Sequence, residues 1–260
     1  MQHRLPAPFA LVAERMQPLH RALVVDGMPP VDVNVDELMG DLAKEFQNRE
    51  NIEPWIAGAN KEFAIFSVPR MLSARSCAIL REIVDRGRSP RPDSVDAAPD
   101  HQHPIEDHHQ LMDLIGTMEG QRLIALPREF RSREAQFKRQ RCEAADATRT
   151  DEEACELEDL VYSLEEAFVR RYTSETRPFN PFHRDKYDIT VNVALCADAD
   201  HEGGRLLGVY DGRVHAVQRD EGEATVHDSE LVHAVSAMRT GTRYSLILFF
   251  SSRPRPRQVR

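Results

Sequence analysis

The 260-residue chain is poor in the features that would place it outside ordinary globular proteins. Its four cysteines, Cys77, Cys142, Cys155 and Cys196, are scattered and form no CxxC pair. That pattern points away from a zinc knuckle and from a dense disulfide framework, and fits reduced thiols in a cytoplasm. No stretch approaches the roughly 20 apolar residues of a membrane span. The opening MQHRLPAPFALVAERMQPLH is broken by prolines and charges before an apolar run reaches leader length, so no secretory leader is expected. Basic charge is in deficit: 34 Lys and Arg against 43 Asp and Glu give a net charge of −9, which disfavours a general affinity for nucleic acid phosphates. What remains, 41% hydrophobic and 30% charged residues, predicts a cytoplasmic protein with one large domain and extensions.

Residues 1–60 mix proline breaks with a helical stretch from Val35 to Gln47, in which Leu38, Leu42 and Phe46 recur at four-residue spacing, and are read as a helical extension. The segment EFAIFSVPRMLSARSCAILREIVDRG then predicts a strand, a turn and a helix ending near Gly87. Residues 88–104, rich in Pro, Asp and Ser, predict a surface loop. A helical pattern resumes from His109 to Glu119. The charged segment 128–156 is expected as a solvated helix or disordered insertion, and Leu157 to Arg171 has apolar positions at helical spacing. Beyond Asn180 the pattern changes. DITVNVAL, RLLGVY, ATVHD and RYSLILFF alternate with period two between Gly, Asp and Glu turns, which predicts short antiparallel strands closing into a barrel or jelly roll through residue 250. The last residues, 251–260, are basic and proline-rich and are expected as a disordered tail.

Within this strand-rich region, NPFHRDKYDITVNVAL sets His183 and Asp185 two residues apart, which on an extended chain puts an imidazole and a carboxylate on one face. His233 follows 48 residues after Asp185, enough chain for intervening strands to return a third ligand to the same place. Two imidazoles and one carboxylate on one side of a metal leave the opposite positions open, the arrangement used by non-haem Fe(II). Ten residues past His233 comes Arg243, on the strand GTRYSLILFF, with Ser245 facing the same way. A guanidinium and a hydroxyl so placed can hold the far end of a dicarboxylate.

In this order and spacing the segment from His183 to Phe250 resembles the 2-oxoglutarate/Fe(II) oxygenases, particularly the branch of the prolyl and lysyl hydroxylases. HRDKYDITVNVAL resembles that family's HxD strand, HEGGRLL its glycine-containing turn, and LVHAVSAMRTGTRYSLILFF its distal histidine followed by the co-substrate strand. The resemblance implies an α+β fold, a double-stranded β-helix (jelly roll) with supporting helices, opening near residue 60. It implies Fe(II) on His183, Asp185 and His233, 2-oxoglutarate held at its 5-carboxylate by Arg243 and Ser245, O2 as the oxidant, and ascorbate as a stimulant. The implied reaction is hydroxylation of a C–H bond of a small molecule or protein side chain, with release of succinate and CO2. Polar residues placed as Tyr172 and Asn192 often touch the co-substrate in that family.

Bland readings stand beside these. His227, six residues before His233, lacks an Arg at the ten-residue spacing and is expected as a barrel residue near the site. The cluster His101, His103, His108 and His109 falls in a polar segment and is not assigned a metal. Arg177, Phe179, Arg184 and Tyr187 flank the HxD and are candidates for the substrate pocket. Two alternatives come from other classes: a non-catalytic jelly-roll protein that binds or senses a dicarboxylate, and a zinc hydrolase using the same three ligands.

Overall fold

The computed structural model describes residues 5–46, 51–86, 102–144 and 160–254. Two antiparallel sheets face each other. The larger has the order β1-β8-β5-β10-β3-β2 and the smaller β4-β9-β6-β7, from β1 (Ile65–Val68), β2 (Gln102–Ile105), β3 (Leu160–Tyr172), β4 (Asn180–His183), β5 (Ile189–Ala194), β6 (Leu206–Tyr210), β7 (Arg213–Val217), β8 (Ala224–Asp228), β9 (Val232–Val235) and β10 (Arg243–Pro254). From β3 onward the chain steps between the sheets at each strand except in the β6–β7 hairpin, which is the winding of a double-stranded β-helix, the expected jelly roll. That hairpin closes on Asp211 and Gly212, both at positive φ (50° and 62°), where glycine relieves the strain of a tight two-residue turn.

Helices cover both outer faces. Under the large sheet lie α5 (Ala74–Arg86), α6 (His108–Ile115) and α7 (Thr117–Ala144), joined to it by one core that includes Leu80, Leu111, Leu126, Phe130, Val191, Val226 and Leu248. Asp107 caps α6 by accepting from the Gln110 N–H (2.9 Å), and Gly116 at φ 88° lets the chain turn directly into α7. Outside the small sheet lie α1 (Ala7–Arg15), α2 (Pro18–Arg21) with its π-helical continuation Ala22–Asp26, α3 (Val35–Phe46) and α4 (Glu53–Ala59). Their Phe9, Leu23, Leu38, Leu42 and Trp55 share a second core with Phe179, Phe182, Leu207 and Val232. The first 60 residues therefore bury the outer face of the small sheet, which would otherwise leave these side chains in water at a cost of about 1.5–3 kcal/mol each. Among the described residues no helix is long and apolar enough to cross a membrane.

Several expectations are corrected. Leu160 to Tyr172 is a strand, not the expected helix, because it pairs along its whole length with β10, from Arg243 opposite Tyr172 to Pro254 opposite Leu160. The helical spacing lay in apolar positions such as Leu160, Leu164 and Phe168; the strand carries them through a bulge at Glu165, where the register shifts, so pairing overrides local preference. Part of the expected 88–104 loop, Gln102–Ile105, is an edge strand on β3; residues 87–101, including Gly87 and His101, lie outside the described residues. The charged segment is helical from residue 128 to 144 and is not merely solvated, since Phe130 and Ala135 are fully buried; residues 145–156 lie outside the described residues. At the other end β10 continues through Pro254, into the stretch expected as a tail.

Candidate active site

His183 ends β4, Asp185 follows in the connection to β5, and His233 lies on β9 directly opposite His183. The sequence places them there by alternation: Val232 and Ala234 turn outward to the helical cap, so His233 turns inward. Their ligand atoms lie within 4.8 Å of one another, and no other group of three or more such residues that could hold a metal occurs among the described residues. Asp185 Oδ1 is 3.4 Å from His183 Nε2, Asp185 Oδ2 is 3.6 Å from His233 Nε2, and the two rings are 4.2 Å apart. Each ring Nδ1 faces a backbone carbonyl, Pro181 O at 2.9 Å for His183 and Leu231 O at 3.1 Å for His233. A carbonyl oxygen only accepts, so Nδ1 of each ring carries a proton and Nε2 is the atom turned toward the carboxylate.

The electrostatics suit a cation. Burial pushes the His233 imidazole down to about 3, with His183 and His227 adding to the fall against the opposing Asp185 charge, so it is neutral at pH 7. Burial alone would raise Asp185, but the three imidazoles outweigh it and hold the carboxyl well below its ordinary value. Thr190 donates to Asp185 Oδ2 at 2.5 Å and fixes its orientation. Two imidazoles and one carboxylate, with the remaining side open, fit a divalent transition metal. Asn180 Nδ2, 3.3 Å from His183 Nε2, is the one other side chain hydrogen-bonded to that nitrogen among the described residues.

On β10 the side chains alternate between the helices and the space between the sheets, and Arg243 and Ser245 take the inner side with Phe249. Arg243 is 1% exposed and Ser245 fully buried, yet Nε, Nη1 and Nη2 of the guanidinium and Oγ of the serine have no hydrogen-bond partner. An uncompensated buried cation is expensive, and groups left in this state are explained by a ligand that supplies acceptors. Tyr172, opposite Arg243 in register, puts its ring 4.8 Å from the guanidinium carbon. Burial raises the Tyr172 phenol, but Arg170, Arg177 and Arg243 reverse this and lower its pKa overall. Gly204, at φ 63°, makes room here: a Cβ on it would stand 2.2 Å from Met238 Sδ and 3.2 Å from Arg243 Cδ.

Of the remaining candidates, Asn192 faces the interior as expected, but its Oδ1 accepts from Arg219 Nη1 at 3.0 Å. Arg219 went unremarked in the sequence because it follows β7 in a loop. It is buried, and burial together with the like charge of Arg243 lowers its pKa to about 10. His201 was also missed: its Nδ1 donates to Gly203 O at 2.9 Å, while its buried Nε2 makes no hydrogen bond and stands 3.7 Å from Asp198 Oδ1. His227 lies near the site, its ring 4.7 Å from that of His233 and its Nε2 3.8 Å from Asp185 Oδ2. His108 and His109 sit on α6 and His103 on β2, apart from the triad. Arg177 donates to Asn180 Oδ1 at 3.2 Å, and Phe179 is buried in the core beneath the helical cap.

The cap reaches β4, the strand of His183, through one imidazole. His20 Nδ1 donates to the Glu45 carboxylate (2.9 and 3.0 Å), and its Nε2 accepts the backbone N–H of Phe182, the residue before His183, at 3.1 Å. A cavity of about 530 Å³ opens between this cap and the site, with His183 and Asp185 in its wall.

No protein-family profile matches the chain, and no curated protein sequence does. Among solved structures it is similar to a prolyl-4-hydroxylase from Pseudomonas putida (17% identity, 73% of this chain and 92% of that one, TM-score 0.46). It is also similar to a 2OG-Fe(II) oxygenase family oxidoreductase from Burkholderia pseudomallei (17%, 82% and 90%, 0.43). A third is the viral collagen prolyl hydroxylase of Paramecium Bursaria Chlorella virus-1 (12%, 72% and 95%, 0.43). Likeness this distant leaves the chemistry to be argued from the side chains.

Proposed function

We propose that the protein is an Fe(II)- and 2-oxoglutarate-dependent oxygenase that hydroxylates a C–H bond. The observation that carries the reading is the pair of fully buried, unpartnered groups, Arg243 and Ser245, on the interior that also holds an open-sided His183, Asp185 and His233 triad. His183, Asp185 and His233 would hold the iron through two Nε2 atoms and a carboxylate oxygen. Arg243 and Ser245 would hold the 5-carboxylate of 2-oxoglutarate, which supplies the acceptors that the guanidinium and hydroxyl lack. Iron and 2-oxoglutarate, when bound, supply the oxidising chemistry, with O2 consumed and succinate and CO2 released.

The chain's own residues orient and insulate. The carbonyls of Pro181 and Leu231 hold Nδ1 of both imidazoles, so each Nε2 would be presented to an ion without reorganisation. Thr190 fixes the carboxylate. Tyr172, Val235 and Met238 form an apolar cluster inside the sandwich, which limits the water competing with a carboxylate at Arg243. The substrate enters from the cavity under the helical cap, beside His183 and Asp185.

The test is succinate formation from 2-oxoglutarate with Fe(II) and ascorbate, together with a visible charge-transfer band on anaerobic addition of 2-oxoglutarate to the Fe(II) protein. Asp185→Ala is expected to abolish both. A variant as active as the parent would remove the assigned ligand, and 2-oxoglutarate binding without turnover would favour a sensing protein instead.

A further inference from the structure

We infer that the substrate of this site is an organic anion with an aromatic or fused-ring body, its ring held under the helical cap and its negative charge against Arg184 and Lys186. The inference rests on the oxygenase reading for the place of the chemistry, but its own grounds are the size, walls and charge of the cavity. At about 530 Å³ the space falls within the roughly 300–1,000 Å³ typical of sites for drug-sized ligands.

Part of its wall is aromatic, contributed by separate parts of the chain. Phe46 of α3 and Trp55 of α4 pack with centroids 5.0 Å apart and planes tilted by 36°. Tyr187, beyond the HxD segment, and Phe249 of β10 pack at 5.6 Å and 31°. Flat π surfaces of this kind favour a ring, which adds offset or edge contacts to its area burial.

Charge then selects among ring compounds. The two carboxylates in the lining apart from Asp185 are already engaged. Glu45 accepts from His20 and from the Gln17 N–H at 2.6 Å, and Glu166 accepts from the Tyr187 hydroxyl at 2.9 Å. The cations Arg15, Arg184 and Lys186 have no carboxylate partner among the described residues. Arg184 is anchored by Nε to the Ser229 carbonyl at 2.8 Å, and Lys186 stands 5.2 Å from the Tyr187 ring centre. Carboxylates and cations are equal in number in the lining, three of each, but the carboxylates are engaged by neighbouring donors whereas Arg184 and Lys186 keep N–H donors without a carboxylate partner, in a protein whose overall charge is −9. An anion supplies charged acceptors to these donors, a neutral ligand supplies weaker ones, and a cation supplies none.

Trp55 is the chain's single tryptophan and lines the cavity, so a chain labelled with 5-fluorotryptophan gives one 19F resonance at the place in question. The metal-free, labelled full-length protein is titrated with naphthalene-2-carboxylate, naphthalene-2-carboxamide, 2-(aminomethyl)naphthalene and a proline-containing hexapeptide. The carboxylate is expected to shift the resonance saturably and to bind about tenfold more tightly than the amide, the scale of one charge-assisted hydrogen bond. In Arg184→Gln/Lys186→Gln this preference should fall to within about twofold, while in Arg243→Ala it should persist. Amide or amine binding as tight as the carboxylate, displacement of naphthoate by the peptide, a resonance unmoved by every probe, or loss of the preference in Arg243→Ala would each overturn the inference. Because no iron or 2-oxoglutarate is present, failure of the oxygenase reading would leave these titrations unaffected, and their failure would leave turnover of 2-oxoglutarate unaffected.

Discussion

The two faces of the large sheet are made by alternate residues of the same strands, and they have opposite characters. Val191, Val193, Val226, Leu246, Leu248 and Phe250 join the apolar core beneath α5, α6 and α7. Their neighbours Thr190, Asn192, Thr225, His227, Arg243 and Ser245 are also buried, but they face the space between the sheets and are polar, with Ile247 and Phe249 as apolar neighbours farther along β10. One face gains stability from each residue it buries, while the other retains a guanidinium and a hydroxyl that no side chain satisfies. A period of two residues thus separates what stabilises the fold from what the fold holds ready for a ligand.

Substitutions on the two faces should therefore fail differently. On the inner face, Arg243→Ala is expected to weaken 2-oxoglutarate binding by about 2–5 kcal/mol, measured by calorimetry on the metal-loaded anaerobic protein. Its denaturation midpoint should hold or rise, because an uncompensated buried cation is removed. A large loss of stability with unchanged affinity would reverse the roles given to the two faces. On the outer face, Leu248→Ala should cost about 2–5 kcal/mol of folding stability in urea titrations and leave the 2-oxoglutarate dissociation constant within about twofold. Ser245→Ala, again inner, should lose about 0.5–1.5 kcal/mol of 2-oxoglutarate affinity, visible in the same calorimetry.

The comparison also has a pH signature. In the unfolded chain His233 takes up a proton near its ordinary 6.5, whereas in the fold it stays neutral down to about 3. Between these values the unfolded state binds more protons, so the metal-free protein should lose stability as pH falls from about 6.5 toward 4. Melting curves across that range should show the decline, and His233→Gln should make it shallower. An equal slope in parent and variant would mean that the buried imidazole is not what couples the fold to pH.

How far the sequence disclosed this arrangement depends on how local each signal is. His183, Asp185, Arg243 and Ser245 were legible because each lies on or beside a short strand whose alternation states which side chains share a face. His233 needed only a gap long enough for the chain to return. The interior position of Asn192 was also readable, but not its use, since Arg219 reaches it from a loop that carries no periodicity. β3 was misread because its identity resides in its partner: nothing within Leu160–Tyr172 announces the long register with β10. The helical cap left the faintest trace. Its apolar spacing predicts helices, but that they roof the cavity follows from packing of Phe9, Leu38 and Trp55 on a sheet formed more than a hundred residues later.

The bond from the Phe182 amide to His20 ties two distant stretches of chain into a single mechanical piece. Glu45 seats the imidazole, the imidazole seats the peptide, and the next residue along is His183 of the proposed iron site. The leading helices consequently cannot be exchanged as an interchangeable specificity cassette. A transplanted set of helices would need to carry both the histidine and its acid, or the peptide before His183 would lose its hydrogen-bond partner.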